Sequence, residues 1–285
     1  MTTINAGASG TFALGDRNLT RLGFGSMRLT GPGVWGDPAD PDEAVRVLRR
    51  AVELGVDLID TADSYGPFTA ELLIKKALHP YPGNVVIATK AGFSRQGPGL
   101  WTPIGRPEYL RQQAELSLRN LGLERIELFQ LHRVDPTVPL DDQVGELKKL
   151  QDEGKIGHIG LSEVSVAQIK AASHVASIAT VQNLYNLADR SAEDVLDYCT
   201  EHGIGFIPWF PLATGRLADP DGPLAELSAR YGASASQLAL AWLLKRSPVM
   251  LPIPGTSSVA HLEDNIGAAA IDLDDATFSV LSQLA

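Results

Sequence analysis

Eight short apolar segments, each followed by a stretch with helical periodicity, constrain the fold of this 285-residue chain more than any other feature. Such an alternation predicts parallel strands connected by helices. Eight strand–helix units in a chain of this length are typical of a closed (β/α)8 TIM barrel, whose functional site lies among the loops that follow the strands. The predicted strands are Leu22–Met27, Asp57–Asp63, Val85–Ala91, Glu127–Arg133, Gly157–Ser162, Thr180–Tyr185, Gly205–Pro211 and Met250–Pro254.

The segments between these strands predict the outer helices of the barrel. Before the first strand, Thr11–Leu14 and Leu19–Leu22 flank Gly15-Asp16, which predicts a β-hairpin that plugs the end of the barrel opposite the site. Because no repeat, low-complexity tract or linker divides the sequence, we expect one α/β domain over residues 1–285. The predicted helices are Asp42–Leu54, Arg106–Leu121, Leu140–Glu153, Val166–His174, Ala192–His202 and Ala235–Lys245.

An open sheet of the dinucleotide-binding type is the alternative fold. It requires the pattern G-x-G-x-x-G after the first strand. The closest match begins with Gly23 and Gly25 but has Arg28 in place of the third glycine. The sequence therefore favours the barrel.

Charge and cysteine content exclude several classes of partner. Lys and Arg number 24 against 34 Asp and Glu, a net charge of −10 that would repel a nucleic acid backbone. The single cysteine, Cys199, can form neither a disulfide framework nor a zinc cage, and no metal site is expected. No apolar run approaches the length of a membrane span, and the first residues lack a leader pattern. We expect a cytoplasmic monomer or weak homo-oligomer that binds neither nucleic acid nor membrane.

Four polar side chains follow or end three consecutive predicted strands. Asp60 lies on the second strand with Tyr65 in the loop beyond it, Lys90 lies near the end of the third and His132 near the end of the fourth. Each alone has a structural explanation: a buried Asp60–Lys90 pair can brace a barrel, Tyr65 can pack in a loop, and a strand histidine is most often a core residue. Their convergence at one mouth of the barrel favours a catalytic site.

These four side chains suit the reduction of a carbonyl group. A tyrosine ordinarily titrates near pH 10, whereas a cation about 4 Å away contributes about 4 kcal/mol at an effective dielectric constant of about 20. We therefore expect Lys90 to lower the pKa of Tyr65 by about three units, so that Tyr65 acts as a general acid near pH 7. Asp60 would hold the lysine, and His132 would donate a hydrogen bond to the carbonyl oxygen.

The sequence resembles the aldo-keto reductases over nearly its whole length. The matching segments are RLGFGSMRL, LIDTADSYG, IATK, ELFQLHR, HIGLSEVS, VQNLYN, PWFPLATGRL and LPIPGTSSVAHLEDN, in this order. The resemblance implies a barrel enzyme that reduces aldehydes or ketones with a nicotinamide cofactor and without a Rossmann motif. Its catalytic tetrad maps onto Asp60, Tyr65, Lys90 and His132.

The resemblance also implies which residues bind the nicotinamide half of the cofactor. A small segment after the first strand matches the contacts to the nicotinamide riboside. A polar pair matches the ligands of the carboxamide, and Trp209 matches an aromatic residue that stacks on the ring. The riboside contacts are Gly25, Ser26 and Met27, and the polar pair is Ser162 and Gln182.

The remaining cofactor contacts implied by the resemblance lie after strands seven and eight. A loop with Pro211, Leu212, Thr214 and Arg216 matches the segment that holds the pyrophosphate. A helix that begins near Val259 offers free N–H groups to a phosphate at the adenosine end. The implied contacts at that end are Gly255, Thr256, Ser257, His261, Asp264 and Asn265.

Two positions depart from the family pattern. Glu163 replaces an asparagine, and an ionised carboxylate can accept from the carboxamide NH2 but cannot donate to its oxygen. His261 replaces an arginine that many members use for the 2′-phosphate, which leaves the hydroxyls of Ser257 and Ser258. The family habit and these hydroxyls favour NADPH, with NADH as the alternative cofactor.

The stretch GPGVWG and the segment LPIPGTSSVAHL resemble a bacterial subgroup that includes pyridoxal reductases. The resemblance implies substrate contacts from Trp35, Tyr65 and His132, and it points to aromatic aldehydes such as pyridoxal. The alternative function is a cofactor-binding sensor or partner subunit on the same barrel with little turnover. Short-chain dehydrogenase chemistry is excluded because none of the tyrosines has lysine four residues later.

Overall fold

The computed structural model describes residues 4–212 and 224–284 of the chain. Its strands alternate with helices, and the barrel predicted from the sequence is confirmed. The strands are β1 (Thr11–Leu14), β2 (Arg17–Thr20), β3 (Phe24–Gly25), β4 (Leu58–Asp60), β5 (Val86–Ala91), β6 (Phe93–Gly97), β7 (Leu100–Pro103), β8 (Ile126–Leu131), β9 (Ile156–Ser162), β10 (Ile178–Leu184) and β11 (Gly205–Trp209).

Helices cover the outside of the sheet, and apolar side chains fill the layer between them. In the described residues the α-helices are α1 (Pro41–Glu53), α2 (Thr69–Leu78), α3 (Pro107–Leu121), α4 (Leu140–Asp152), α5 (Val166–Ser173), α6 (Glu193–His202), α7 (Ala225–Tyr231), α8 (Ala235–Arg246), α9 (Val259–Gly267) and α10 (Asp275–Ser282). The helix expected near Val259 begins there. None of these helices is long and apolar enough to cross a membrane.

Seven parallel strands form the barrel wall in the order β11-β10-β9-β8-β5-β4-β3. The predicted eighth strand, Met250–Pro254, lies between β11 and β3 and closes the wall. Leu251 N donates to Phe206 O at 2.8 Å, and Gly23 N donates to Pro252 O at 2.9 Å. Its prolines have no N–H to donate, so this segment pairs through an isolated bridge instead of a regular ladder.

The N-terminal hairpin plugs the bottom of the barrel, as expected, although β2 begins at Arg17 instead of Leu19. Leu14 and Leu19 pack against Leu58, Leu128 and other apolar side chains from the barrel interior. The bottom of the barrel is therefore filled, and the open end is the one where the strands end.

A second hairpin, β6–β7, was not predicted from the sequence. Gly97 and Leu100 pair across its turn, and three consecutive polar residues, Ser94, Arg95 and Gln96, occupy β6. It directly follows β5, so it lies at the open end of the barrel. The predicted first strand, Leu22–Met27, is also shorter than expected because Met27–Leu29 form a turn of 3-10 helix.

Arg21 joins the N-terminal hairpin to the segment that closes the barrel. Its guanidinium donates to Met250 O at 3.2 Å, to Leu244 O at 2.6 Å and to Ser247 O. Arg21→Met should lower the free energy of unfolding by about 2–4 kcal/mol because it leaves several partly buried carbonyls without a donor. Urea denaturation measures this loss, and Arg49→Met, which removes an exposed guanidinium that donates to Ala77 O, is the control. Equal stability of the two variants would contradict this role of Arg21.

Candidate active site

A cavity of about 510 Å³ opens at the ends of the barrel strands. It is mostly apolar, and several polar groups from different strands reach its wall. The lining residues are Gly25, Met27, Arg28, Val34, Asp60, Tyr65, Phe93, Trp101, His132, Arg133, Ser162, Gln182, Trp209, Phe210, Pro211, Leu212, Ile253 and Gly255.

A buried ion pair lies at the base of this cavity. Lys90 Nζ donates to Asp60 Oδ1 at 2.6 Å and to Thr61 O at 2.9 Å, and neither charged side chain is more than 2% exposed. The same Nζ lies 3.4 Å from the hydroxyl oxygen of Tyr65. The structure therefore brings Asp60, Tyr65 and Lys90 together, three of the four residues expected at the mouth of the barrel.

The second carboxylate oxygen of Asp60 is also fully engaged. Gln130 Nε2 and Gln182 Nε2 donate to Asp60 Oδ2 at 3.1 and 2.9 Å. These bonds come from β8 and β10, so the carboxylate connects side chains from several parts of the barrel wall. These hydrogen bonds stabilise the buried carboxylate charge, which would otherwise lie in an apolar interior without partners.

The expected lowering of the pKa of Tyr65 is wrong for this structure. Burial raises the pKa of the Tyr65 phenol above its ordinary value, and the nearby Asp60 carboxylate adds to the rise. The Lys90 ammonium acts in the opposite direction but does not outweigh burial. The Coulomb argument from the sequence counted the cation and omitted the desolvation of the phenol. Tyr65 is therefore protonated at neutral pH.

His132 completes the cluster in its neutral form. Burial lowers the pKa of the imidazole well below its usual value, and the positive charges of Lys90, Arg133 and Arg95 lower it further. Its Nδ1 lies 3.3 Å from Ser64 Oγ, and its ring contacts the Tyr65 ring edge to face at 5.8 Å. A neutral imidazole keeps one N–H, so it can donate a hydrogen bond without titrating near pH 7.

The residues expected around the nicotinamide mostly line the same cavity. Gly25, Met27, Ser162, Gln182 and Trp209 are all among its lining residues. Ser162 and Gln182 are directly paired across β9 and β10. The Nε2 of Gln182 is used by Asp60, which leaves its amide oxygen available to a ligand.

Ser26, expected beside the riboside, is buried, and its Oγ has no hydrogen-bond partner among the described residues. Close backbone approach explains the glycines around it. A Cβ on Gly255 would lie 2.6 Å from Gly25 O, and a Cβ on Gly25 would lie 2.7 Å from Ile253 O. A side chain at either glycine would push β3 away from the closing segment.

Glu163 fixes the orientation of Trp209 at the cavity wall. Its Oε1 accepts from Trp209 Nε1 at 2.5 Å and from Leu184 N at 2.6 Å. Sequence reasoning expected this carboxylate to be free for a carboxamide NH2. The structure instead gives one of its two oxygens a positioning role.

The structure describes only some of the residues expected to bind the pyrophosphate and the adenosine end of the cofactor. Pro211 and Leu212 line the cavity, whereas Thr214 and Arg216 lie outside the described residues. At the start of α9, Val259 N donates to Glu43 Oε1 at 3.2 Å.

Among the other residues expected at the adenosine end, Asp264 Oδ2 accepts from Ser234 Oγ at 2.7 Å, so it already has a partner. His261 is exposed and Asn265 is buried. Thr256 Oγ1 accepts from Ser258 N at 3.1 Å, and Ser257 lines a neighbouring cavity.

Trp35, expected to cover the substrate, is not among the described residues that line the cavity. Its backbone pairs with Gly66, which holds its loop against the loop after β4. Trp101 from the unpredicted β6–β7 hairpin lines the cavity instead. Arg95 links the two tryptophans, with its Cζ 3.6 Å from the centre of the Trp101 ring and 5.7 Å from that of Trp35.

Sequence reasoning also missed Phe93, Phe210 and Arg133, which line the cavity. Arg133 is adjacent to His132 in the segment ELFQLHR, and this adjacency was the available signal. Phe93 begins β6 and Phe210 directly follows β11, but aromatic residues at such positions are equally typical of core packing.

Comparisons with known proteins identify the family to which the chain belongs. The family model described as Aldo/keto reductase family matches residues 21–285. The chain is 50% identical over 280 residues to an uncharacterized oxidoreductase of Schizosaccharomyces pombe, with 98% of this chain and 91% of that protein covered. It is 41% identical over 280 residues to pyridoxine 4-dehydrogenase of Escherichia coli, with 96% and 98% covered.

Solved structures give the same result. Glycerol dehydrogenase from Gluconobacter oxydans matches with a TM-score of 0.88 at 28% identity, over 97% of this chain and 95% of that chain. An aldo-keto reductase from Klebsiella pneumoniae, solved in complex with NADPH, matches with a TM-score of 0.82 at 29% identity, over 96% and 94%. The chain belongs to the aldo/keto reductase family, and it is an oxidoreductase.

The buried ion pair gives a stability prediction that does not depend on the reaction. Lys90→Met should lower the free energy of unfolding by about 3–5 kcal/mol because it leaves the Asp60 carboxylate buried without a cation. Asp60→Asn combined with Lys90→Met should recover part of this loss, since the remaining amide is neutral. Urea denaturation of both proteins measures the difference. A double variant less stable than Lys90→Met alone would contradict an unpaired charge as the cause.

Proposed function

We propose that this protein reduces aldehydes or ketones to alcohols with NADPH, and that Tyr65 donates the proton. The observation that carries the proposal is the position of the Tyr65 hydroxyl, 3.4 Å from a lysine whose charge is held by Asp60. Tyr65 and His132 line one cavity together with residues suited to a nicotinamide. Family membership supports carbonyl reduction as the reaction class.

The described residues fit a nicotinamide cofactor. The free amide oxygen of Gln182 and the unpartnered Oγ of Ser26 are polar groups without a described protein partner in this region. Trp209, held by Glu163, offers an aromatic face at the wall. When bound, the cofactor would supply the hydride that reaches the carbonyl carbon. The Klebsiella relative solved with NADPH supports this cofactor, as do the hydroxyls near α9.

The chain's own residues would supply the proton and hold the carbonyl oxygen. Tyr65 donates its hydroxyl proton to that oxygen, and His132 donates a hydrogen bond to it from a neutral imidazole. The tyrosinate that forms lies beside the Lys90 ammonium, which stabilises the new negative charge. Asp60 keeps the ammonium in place, so its role is positioning.

Tyr65→Phe should reduce kcat about 10²–10⁴-fold while the dissociation constant for NADPH changes little, because only the proton donor is removed. NADPH oxidation with benzaldehyde gives the rate, and quenching of tryptophan fluorescence gives the affinity. Tyr81→Phe is the matched control, since its hydroxyl donates to Leu121 O away from the cavity. Turnover in Tyr65→Phe equal to that of the control would refute Tyr65 as the donor. No turnover of any aldehyde by the parent protein would favour the sensor alternative.

The pH dependence of reduction follows from the two pKa shifts. The pKa of Tyr65 is raised by burial, so the protonated acid persists through neutral pH and activity is lost only as pH rises through that higher value. The pKa of His132 is lowered by burial, so the imidazole charges only in acid well below its usual range. We expect kcat/KM for reduction to be flat between about pH 7 and 9. A fall with an apparent pKa near 7 would contradict the assignment.

We propose further that the substrate is a planar aromatic aldehyde, with pyridoxal as the first candidate. Trp101 and Phe93 form one side of the cavity, and their rings meet edge to face at 5.2 Å. A flat ring packed against such faces gains about 0.5–1.5 kcal/mol per contact. The match to pyridoxine 4-dehydrogenase supports the same class of substrate.

Trp101→Ala should lower kcat/KM for pyridoxal and for 4-nitrobenzaldehyde by about three- to tenfold, the equivalent of one stacked contact, and change butanal little. Trp35→Ala is the matched control because Trp35 flanks the same arginine but is not among the described lining residues. Measurement of kcat/KM for the three aldehydes in both variants tests this. Two results would contradict a role of Trp101 in binding aromatic rings. One is a fall in kcat/KM for the two aromatic aldehydes that is larger in Trp35→Ala than in Trp101→Ala. The other is an equal fall in kcat/KM for all three aldehydes in Trp101→Ala.

A further inference from the structure

Arg133 is a charged group in the cavity wall whose donors are only partly used. It lies two residues beyond the end of β8 and is half-buried. Its Nη1 donates to His132 O at 2.8 Å and to Ser162 Oγ at 3.1 Å. Its Nε and Nη2 donate to no other described residue. The guanidinium therefore has a fixed position and free N–H groups.

The charge of Arg133 also has no ion-pair partner among the described residues. Burial lowers the pKa of the Arg133 guanidinium, and the Glu163 carboxylate only partly opposes this shift. The Glu163 oxygen Oε1 already accepts from Trp209 and Leu184. A guanidinium remains protonated in proteins, so Arg133 is a cation in a largely apolar cavity.

Among the described residues, two other cations near the reacting groups have partners. Lys90 is paired with Asp60. Arg95 directs its N–H groups to backbone carbonyls, including Ser64 O at 2.6 Å and Val34 O at 3.0 Å. In a chain with a net charge of −10, an unpaired cation beside His132 needs an explanation.

We propose that Arg133 binds an anionic oxygen group of the carbonyl substrate, so that the preferred substrates carry a carboxylate, a phosphate or an ionised ring hydroxyl. The proposal rests on the proposed function, because it names a property of the substrate of that site. The Cζ of Arg133 lies 5.3 Å from the centre of the Phe93 ring, and the His132 ring lies 4.7 Å from it. One aromatic side chain thus contacts both groups, and a substrate on this wall would have its carbonyl near His132 and its anion near Arg133.

Arginine suits this role better than lysine would. Its planar fork forms two parallel hydrogen bonds to a carboxylate, and it loses less hydration when it is buried. A partly desolvated charge pair of this kind discriminates strongly against a neutral ligand, since that ligand leaves the cation unpaired. Arg133 is therefore a specificity residue, and the proton donation remains with Tyr65.

The kinetic test compares benzaldehyde with 3-carboxybenzaldehyde and 4-carboxybenzaldehyde. In the parent protein at least one carboxylated aldehyde should have a KM roughly tenfold or more below that of benzaldehyde. Arg133→Met should abolish this difference, so that the three aldehydes have similar KM values in the variant. Arg133→Lys should retain part of the difference because it keeps the charge without the fork.

Two kinetic results would overturn the proposal. One is no preference for carboxylated aldehydes in the parent. The other is an equal fall in kcat/KM for all three aldehydes in Arg133→Met together with weaker NADPH binding. That result would show that Arg133 only holds Ser162 in position. Added salt should reduce the preference in the parent, as expected for an ion pair that solvent reaches.

Equilibrium binding separates this proposal from the proposed function. Quenching of tryptophan fluorescence by benzoate should show an affinity roughly tenfold weaker in Arg133→Met than in the parent, with little change for benzyl alcohol. Arg28→Met is the comparison variant, because Arg28 is an exposed arginine that also lines the cavity in the described part of the chain. If benzoate binding is lost in Arg28→Met and kept in Arg133→Met, the proposal is wrong. If no aldehyde is reduced, the proposed function fails, and the benzoate titration still decides the role of Arg133.

Discussion

The buried ion pair between Asp60 and Lys90 is the interaction on which the site depends. Removing both charges from water costs several kcal/mol per ion, and a single contact does not offset this. Here the carboxylate accepts from Lys90, Gln130 and Gln182, and the ammonium also donates to Thr61 O. Because these partners come from separate strands, the pair is satisfied only when the barrel is closed.

Strand register explains why these side chains meet. Asp60 is paired with Ala88 in the ladder between β4 and β5, so Lys90 lies two residues nearer the open end on the same face of its strand. Lys90 is paired with Gln130 in the next ladder. The loop after β4 then returns Tyr65 to the same place, where burial keeps its proton and the ammonium stands ready to stabilise the tyrosinate.

Much of this arrangement could be predicted from the sequence because strand ends in a barrel share one mouth. The positions of Asp60, Lys90 and His132 followed from the alternation of strands and helices alone. The pKa of Tyr65 could not be predicted, because burial of a loop residue depends on long-range packing that periodicity does not report. Trp101 was missed for a similar reason: it reaches the cavity on a hairpin inserted after β5, and the polar, glycine-rich sequence of that hairpin resembles a surface loop.

The central claim is that Tyr65 and Lys90 act as one proton-donating unit, and a double-mutant cycle on turnover tests it most directly. kcat for benzaldehyde reduction is measured for the parent, Tyr65→Phe, Lys90→Met and the double variant, using protein shown to be folded by circular dichroism. If the lysine acts through the tyrosinate, the double variant should be no slower than Tyr65→Phe, because the group that Lys90 stabilises is already gone. Losses that multiply in the double variant would contradict the account.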